Sequence, residues 1–323
     1  MNGALTPTLI GQFLGTGLAC GINLYAVVTA LGLASRLGWT DALPPGLRGL
    51  EHPIVIVSAA VLFLAEAVVD KVPYLDSAWN AVHTIIRPIA AGLLAILALS
   101  PLPWSARLGG AAAAAAAALL VHASKSGLRV ALRTTGRGAL ATRVSFAEDL
   151  AALALVAAVL LIPAVTAAIA LAGCVVLLAK GPPLWRAAWL GARSVDGRLR
   201  AFFGSPGWRD RDDLPAHVAR LVPPDDLGLA PPRALRAAVD RLPGTGAYRN
   251  GWVVVQREHV AFIYRSMLGT RRIEVPAVPV THIQPGALVD TIRLDGPAGF
   301  TLFLLKDGPP LDVATAELNA ASQ

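Results

Sequence analysis

Between residues 9 and 179 the chain runs through one apolar stretch after another, each about as long as a bilayer crossing. A helix needs about 20 mostly apolar residues to span the hydrocarbon core. Every backbone N–H and C=O must be satisfied internally there, which leaves helices or closed barrels. Runs of this length and evenness dictate helices. Composition agrees: charged residues are 15% of the chain and mean hydropathy is +0.58, against about 25% charged in a soluble domain. The deficit lies in the first 180 residues, and the remainder has an ordinary composition. The sequence therefore predicts a polytopic helical membrane domain over 1–180, an amphipathic helix and linker over 181–245, and a small soluble domain over 246–323.

Six spans are expected, at about 9–37, 53–70, 76–99, 108–133, 145–162 and 164–179. Pro163 sits at a turn between the last two or at a kink in one long helix. Six divides into three and three, and an odd number per half would make the second half an inverted copy of the first. Lys and Arg in short loops mark the cytoplasmic side. Arg133, Arg137 and Arg143, and later Lys180, Arg186 and Arg193, belong there. Counting back puts the N-terminus and the C-terminal domain in the cytoplasm, with Arg36, Arg48 and Arg107 outside. The start, MNGALTPTLIGQF, lacks the basic region of a secretory signal, so the first segment is expected to stay. The two cysteines, Cys20 and Cys174, lie in apolar segments and read as small hydrophobes. The net charge of +7 clusters beside apolar segments, which fits topology and anionic lipid rather than nucleic acid.

Ionisable groups inside a span cost several kcal/mol unless paired or hydrated, so they are functional candidates. Here they recur at helical spacing. His122, Lys125, Arg129 and Arg133 share one face of the fourth segment; Glu66 and Asp70 share one in the second. Asp76, Asn80, His83 and Arg87 form a stripe in the third. The fifth opens SFAED, in which Ser145 reads as an N-cap and Glu148 and Asp149 as acids at the positive end of the helix dipole. Asn23 and Tyr25 lie mid-way along the first segment, beside Gly15, Gly17 and Gly21, which permit close approach or a break. These groups share one level, and a cytoplasm-facing polar chamber follows. Asn23, Tyr25, His83, Arg87, His122, Lys125 and Arg129 are the candidate substrate-binding residues. Glu66, Asp70, Glu148 and Asp149 are the candidate ion-coupling residues. The competing reading makes them structural pairs, caps and headgroup-level cations.

The stretches GINLYA (21–26), DKVPYLDSAWNAVHTIIRP (70–88), HASKSGLR (122–129) and SFAED (145–149) resemble an uncharacterised bacterial multi-pass membrane family, domain of unknown function 4126. The resemblance covers residues 15–180. It implies a compact helical membrane domain, located in a bacterial cytoplasmic membrane, and no particular activity.

In the soluble part, GPPLWRAAWLGARSVDGRLRAFFG has the spacing of an amphipathic helix on a leaflet, and PPRALRAAVDRL reads as a short helix. From Tyr248 the alternation changes to strands. GWVVVQREHVAFIYRS reads as a hairpin turning at 257–259, two further strand stretches follow, and GPPLDVATAELNAAS closes as a helix. Strands ending in one helix resemble a pleckstrin-homology-like domain. Arg257, His259, Arg265, Arg271 and Arg272 face either anionic lipid or solvent. No G-x-S-x-G, H-E-x-x-H or P-loop is present, so no catalytic residue, metal or cofactor is assigned. Two functions lead: a transporter or lipid translocase for an anionic solute or headgroup, coupled to protons or sodium, and a membrane-anchored scaffold whose C-terminal domain binds lipid or a protein partner. A third, a membrane-embedded enzyme acting on a lipid, is weakest, because His83, His122, Glu66 and Asp70 have no local metal-ligand spacing.

Overall fold

The computed structural model describes residues 6–39, 44–222, 231–256, 259–276, 280–295 and 299–321. The chain divides into two compact units, Met1–Trp185 and Arg186–Gln323.

The first unit is helical: α1 Pro7–Arg36, a 3-10 turn Pro45–Glu51, α2 Pro53–Val69, α3 Pro73–Ala98, α4 Trp104–Thr134, α5 Gly138–Leu161 and α6 Pro163–Lys180. Five of these helices, α1 and α3 to α6, are long and apolar enough to cross a membrane. At 17 residues, α2 reaches only about 26 Å. It makes a sixth span only together with the 3-10 turn, from which it bends by 70°. Large side chains such as Ile54, Leu64, Val68, Ile85, Leu93, Leu150 and Val175 point outward from the bundle. That is the arrangement of a bundle whose solvent is hydrocarbon. Proline starts helices α1, α2, α3 and α6, where its missing N–H costs nothing. At Pro163 the chain therefore begins a new helix one residue after α5 ends.

α1 is the centre of the bundle and packs on every other helix of this unit. Its glycines allow this. A Cβ on Gly17 would lie 2.7 Å from the carbonyl oxygen of Ala114, and one on Gly21 2.5 Å from that of Ala118. Small residues on α1 thus meet the alanine run of α4 almost backbone to backbone. The structure corrects one local expectation: α5 starts at Gly138, so Ser145 lies two turns inside the helix and caps nothing. GALATRV has no helix breaker after its first residue and continues the helix backward.

In the second unit, α7 (Pro182–Phe203, from its second turn onward) is followed by a 3-10 turn Arg211–Asp213 and a single helical turn, α8 Ala216–Ala219. Seven strands follow: β1 Arg233–Asp240, β2 Arg249–Gln256, β3 His259–Ser266, β4 Gly269–Glu274, β5 Val280–Gln284, β6 Asp290–Leu294 and β7 Phe300–Leu304. Their order is β4-β3-β2-β1-β7-β6-β5, antiparallel throughout. With α9 (Leu311–Ala320) this is the pleckstrin-homology-like sandwich. Leu235, Val239, Val253, Phe262, Ile292 and Leu302 fill its interior, plugged by Ala314 and Leu318 of α9. The other face of β1–β3, carrying Ala234, Val254 and Ile263, is covered by Leu214, Val218 and Val222. The expected hairpin is β2–β3, with Gln256 opposite His259; residues 257 and 258 lie outside the described ones. A second correction concerns PPRALRAAVDRL, which is strand β1, not a helix. Its Ala, Leu and Arg favour helix locally, but hydrogen bonding to β2 on one side and β7 on the other overrides that preference.

Candidate functional site

The site begins with a fault in α1. Asn23 has φ −151° and ψ 102°, extended backbone in the middle of a 30-residue helix. Its side-chain oxygen accepts the N–H of Ala26 at 3.0 Å. That is N-cap geometry, so Asn23 closes the second half of α1 as if it were a new helix. The break frees carbonyls of the preceding turn, and cations from other helices fill them. The Arg87 guanidinium of α3 donates through Nη1 to the carbonyls of Gly21 and Ile22, each at 2.7 Å. Lys125 of α4 donates through Nζ to Ile22 at 2.6 Å. The amide nitrogen of Asn23 donates to Asp149 of α5 at 2.9 Å.

From these contacts an ionic cluster spreads across four helices. Glu66, one turn from the end of α2, accepts from Arg87 and lies 3.3 Å from Lys125. Arg129, one turn beyond Lys125, meets Asp70 at 2.6 Å and Asp76 at 2.8 Å, and binds Glu148 as well. Arg133, a further turn on, binds Asp76 and donates to the backbone oxygen of Asp70 at 2.7 Å. Ser145 links two members, accepting from Arg129 at 3.1 Å and donating to Asp70 at 2.9 Å. Arg87 and Arg129 have no solvent-exposed surface, and Glu66, Asp70 and Asp76 are 1% exposed. A buried charge survives only when paired and hydrogen-bonded, and almost every member meets that condition. Asp149 differs: among the described residues no cation bridges it, and it has only the amide of Asn23.

Two histidines stand at the edge of the cluster in defined tautomers. The carbonyl of Trp79 can only accept, so His83 donates to it from Nδ1 at 2.8 Å, leaving Nε2 to accept from the Tyr25 hydroxyl at 2.8 Å. Trp79 stacks on the same ring at 4.5 Å. His122 donates from Nε2 to the carbonyl of Asn80 at 2.9 Å, and Asn80 in turn donates to Asp76 at 2.8 Å.

All eleven residues singled out from the sequence fall in this region. Asp76, Arg133 and Ser145 share it as well, beside Trp79 and Asn80. Asp76 anchors two arginines. Arg133 faces inward and is not free at the headgroups, the place its loop-side position suggested. Ser145 is a bridge and not a cap. The spacing Lys125–Arg129–Arg133 carried the signal for Arg133, since each step of four stays on one face. Of the basic residues expected on the strands, Arg265 lines a cavity of the second unit, and Arg272 pairs with Glu274 at 2.9 Å. His259 and Arg271 are exposed, and Arg257 lies outside the described residues.

No curated protein matches this chain, and no solved structure does. A family model does match, over residues 10–180, the stretch that holds every helix of the ionic cluster. The chain therefore belongs to the family described as Domain of unknown function (DUF4126).

Proposed function

We propose that the membrane unit is a transporter or lipid translocase for an anionic solute or headgroup, and that the ionic cluster is its working site. The observation that carries this reading is the break at Asn23. Transporters commonly place their sites where a discontinuous helix turns backbone groups towards substrate and coupling ion. Here one residue both makes the break and holds Asp149, which among the described residues of the cluster is the carboxylate without an ion-pair partner. The cluster has five carboxylates, Glu66, Asp70, Asp76, Glu148 and Asp149, and four cations, Arg87, Lys125, Arg129 and Arg133. Asp149 can take up a proton or sodium ion without breaking an ion pair. An entering anion would exchange for the carboxylates on Arg87, Lys125 and Arg129, so the buried arrangement is the closed state of the cycle. Arg137 and Arg143 flank the same end of the bundle, and the excess of basic residues in cytoplasmic loops supports a cytoplasmic position for that end.

Reconstitution tests the reading. Proteoliposomes are given labelled inorganic phosphate or fluorescent phosphatidylglycerol under an imposed pH gradient. Protein-dependent movement of one of them, with the gradient dependence lost in Asp149→Asn, is expected. No movement above empty liposomes in either case would reject transport of this class. A membrane-impermeant maleimide on Ala139→Cys, in a background lacking Cys20 and Cys174, reports the orientation.

A second reading, the anchored scaffold acting on lipid or a protein partner through the C-terminal domain, is favoured by one fact. Arg87, Lys125 and Arg129 are each already paired internally. In that case replacing Glu66 and Lys125 together by leucine leaves function intact, and deleting residues 186–323, the whole second unit, removes it.

A further inference from the structure

The second unit contains a cavity of about 640 Å³ between α7, the outer face of β1–β3 and the segment around Asp213–Val218. Seven arginines line it, against two aspartates, Asp213 and Asp307. Arg236 and Arg200 have their charge met by acids of this unit. Arg236 of β1 binds Asp307 at 2.7 Å and Asp196 at 2.5 Å, and Arg200 binds Asp196 at 3.0 Å. Others do not. Among the described residues Arg193 of α7, Arg209, Arg249 of β2 and Arg265 of β3 have no acid within ion-pair distance in the cavity. Arg249 lies over the ring of Tyr264, 5.1 Å from its centroid, and its Nε is buried with no acceptor.

Crowding these cations into one cavity raises their electrostatic energy. Burial, and then the neighbouring Arg236, push the Arg193 guanidinium down to about 10. Burial and the neighbouring Arg249 push Arg186 down as well. Cations held this way repel one another, and the low-dielectric wall of the sheet focuses the field into the cavity. The volume suits a small molecule. Guanidinium forks match phosphate oxygens two at a time. Trp189, Trp252 and Tyr264 supply apolar and aromatic surface beside them.

We propose that this cavity binds a phosphate-bearing anion, gripped by Arg193 of α7 and Arg249 of β2, with Arg209 and Arg265 completing the charge. The site is separate from the ionic cluster of the membrane unit and does not depend on the transport reading. The shared chemistry is the phosphate group, carried by a soluble phosphorylated molecule or by a lipid headgroup.

Full-length protein distinguishes the two sources. In one arm it is titrated in detergent with pyrophosphate. In the other it is reconstituted in phosphatidylcholine vesicles with or without phosphatidic acid. Tryptophan fluorescence is read in both, since Trp189 and Trp252 line the cavity, together with the melting temperature. The expected result is a saturable response in at least one arm, weakened about tenfold or more in R193Q/R249Q and unchanged in R271Q, an exposed strand residue outside the cavity. Response to pyrophosphate names a soluble ligand; response to phosphatidic acid alone names a headgroup. Without probe, R193Q/R249Q melts at the wild-type temperature or above it, because like charges have been removed. Should that pair fail to fold, R209Q/R265Q replaces it under the same criteria. No saturable response in either arm, or equal weakening by R271Q, overturns the proposal.

Discussion

Arg129 shows most directly what the buried charges cost and return. Its guanidinium has no exposed surface and meets Asp70, Asp76 and Glu148 together. Replacing it with methionine keeps the apolar stem but leaves three carboxylates short of a partner. Breaking a buried pair from one side costs about 3–5 kcal/mol, so R129M should lose about that much in denaturant unfolding followed by circular dichroism. R129K, with charge but no fork, should fall between. A loss under about 1 kcal/mol would mean that water reaches the carboxylates. A different balance holds at Asp196 in the second unit. Burial raises its carboxyl, but bonds from Arg236 and Arg200 more than offset this and hold it below the usual range. A depressed acid stabilises the fold above its unfolded value, about pH 4, and that contribution is lost as pH falls through the folded value. D196N should therefore flatten the acid limb of the second unit's melting-temperature profile below about pH 4, and an unchanged limb would contradict the pairing. The charge stripes behind all this were legible in the sequence, since spacing of three and four survives as one helix face. The direction of a face was not. Arg133 beside a loop has the same local sequence whether it points at headgroups or inward, and only Asp76 and Asp70 on other helices decide it.

At the level of elements, the break in α1 is held by a single side chain. Asn23→Ala removes the cap on the second half of the helix, at about 1 kcal/mol, and also the side-chain hydrogen bond to Asp149. Asn23→Ser keeps a capping oxygen and loses the amide donor. Hydrogen exchange at Tyr25–Val27 should thus rise in N23A and stay near wild type in N23S; equal exchange in both would show that packing alone sets the break. Another close approach lies at Gly127 of α4, where a Cβ would overlap the carbonyl oxygen of Leu184. Gly127→Ala should displace that carbonyl, cost the Trp185–Ser124 hydrogen bond of 3.0 Å, and lower the melting temperature. The helices themselves were readable because an apolar run of bilayer length has few alternatives. GINLYAV did not reveal its break: Gly21 allowed one, but the cap needs the geometry of Ala26, and α4 stays helical through its own glycine at Gly127. β1 was misread for the opposite reason. Alanine-rich RALRAAVD looks helical in isolation and becomes a strand because β2 and β7 both have an edge to satisfy.

For the whole molecule, the hydrophobic cores divide with the two units. The clusters around Leu24 and Ala118 and around Phe13 and Ala117 belong to the first unit, and those around Phe262 and around Val254 to the second. The two are stabilised by different physics. Lipid surrounds the first, whose helices hold together through close packing and buried polar pairs; the sandwich buries apolar surface from water. Units with separate cores unfold as separate cooperative steps. Phe262→Ala opens a void at the centre of the sandwich, where the ring is fully buried, at a cost of about 3–5 kcal/mol. In calorimetry of the full chain this should lower one transition by roughly 10 °C and leave the other in place, while R129M should move only the other. If either substitution shifted both transitions together, the two cores would be one cooperative system, and the division seen in the sequence would be one of composition alone.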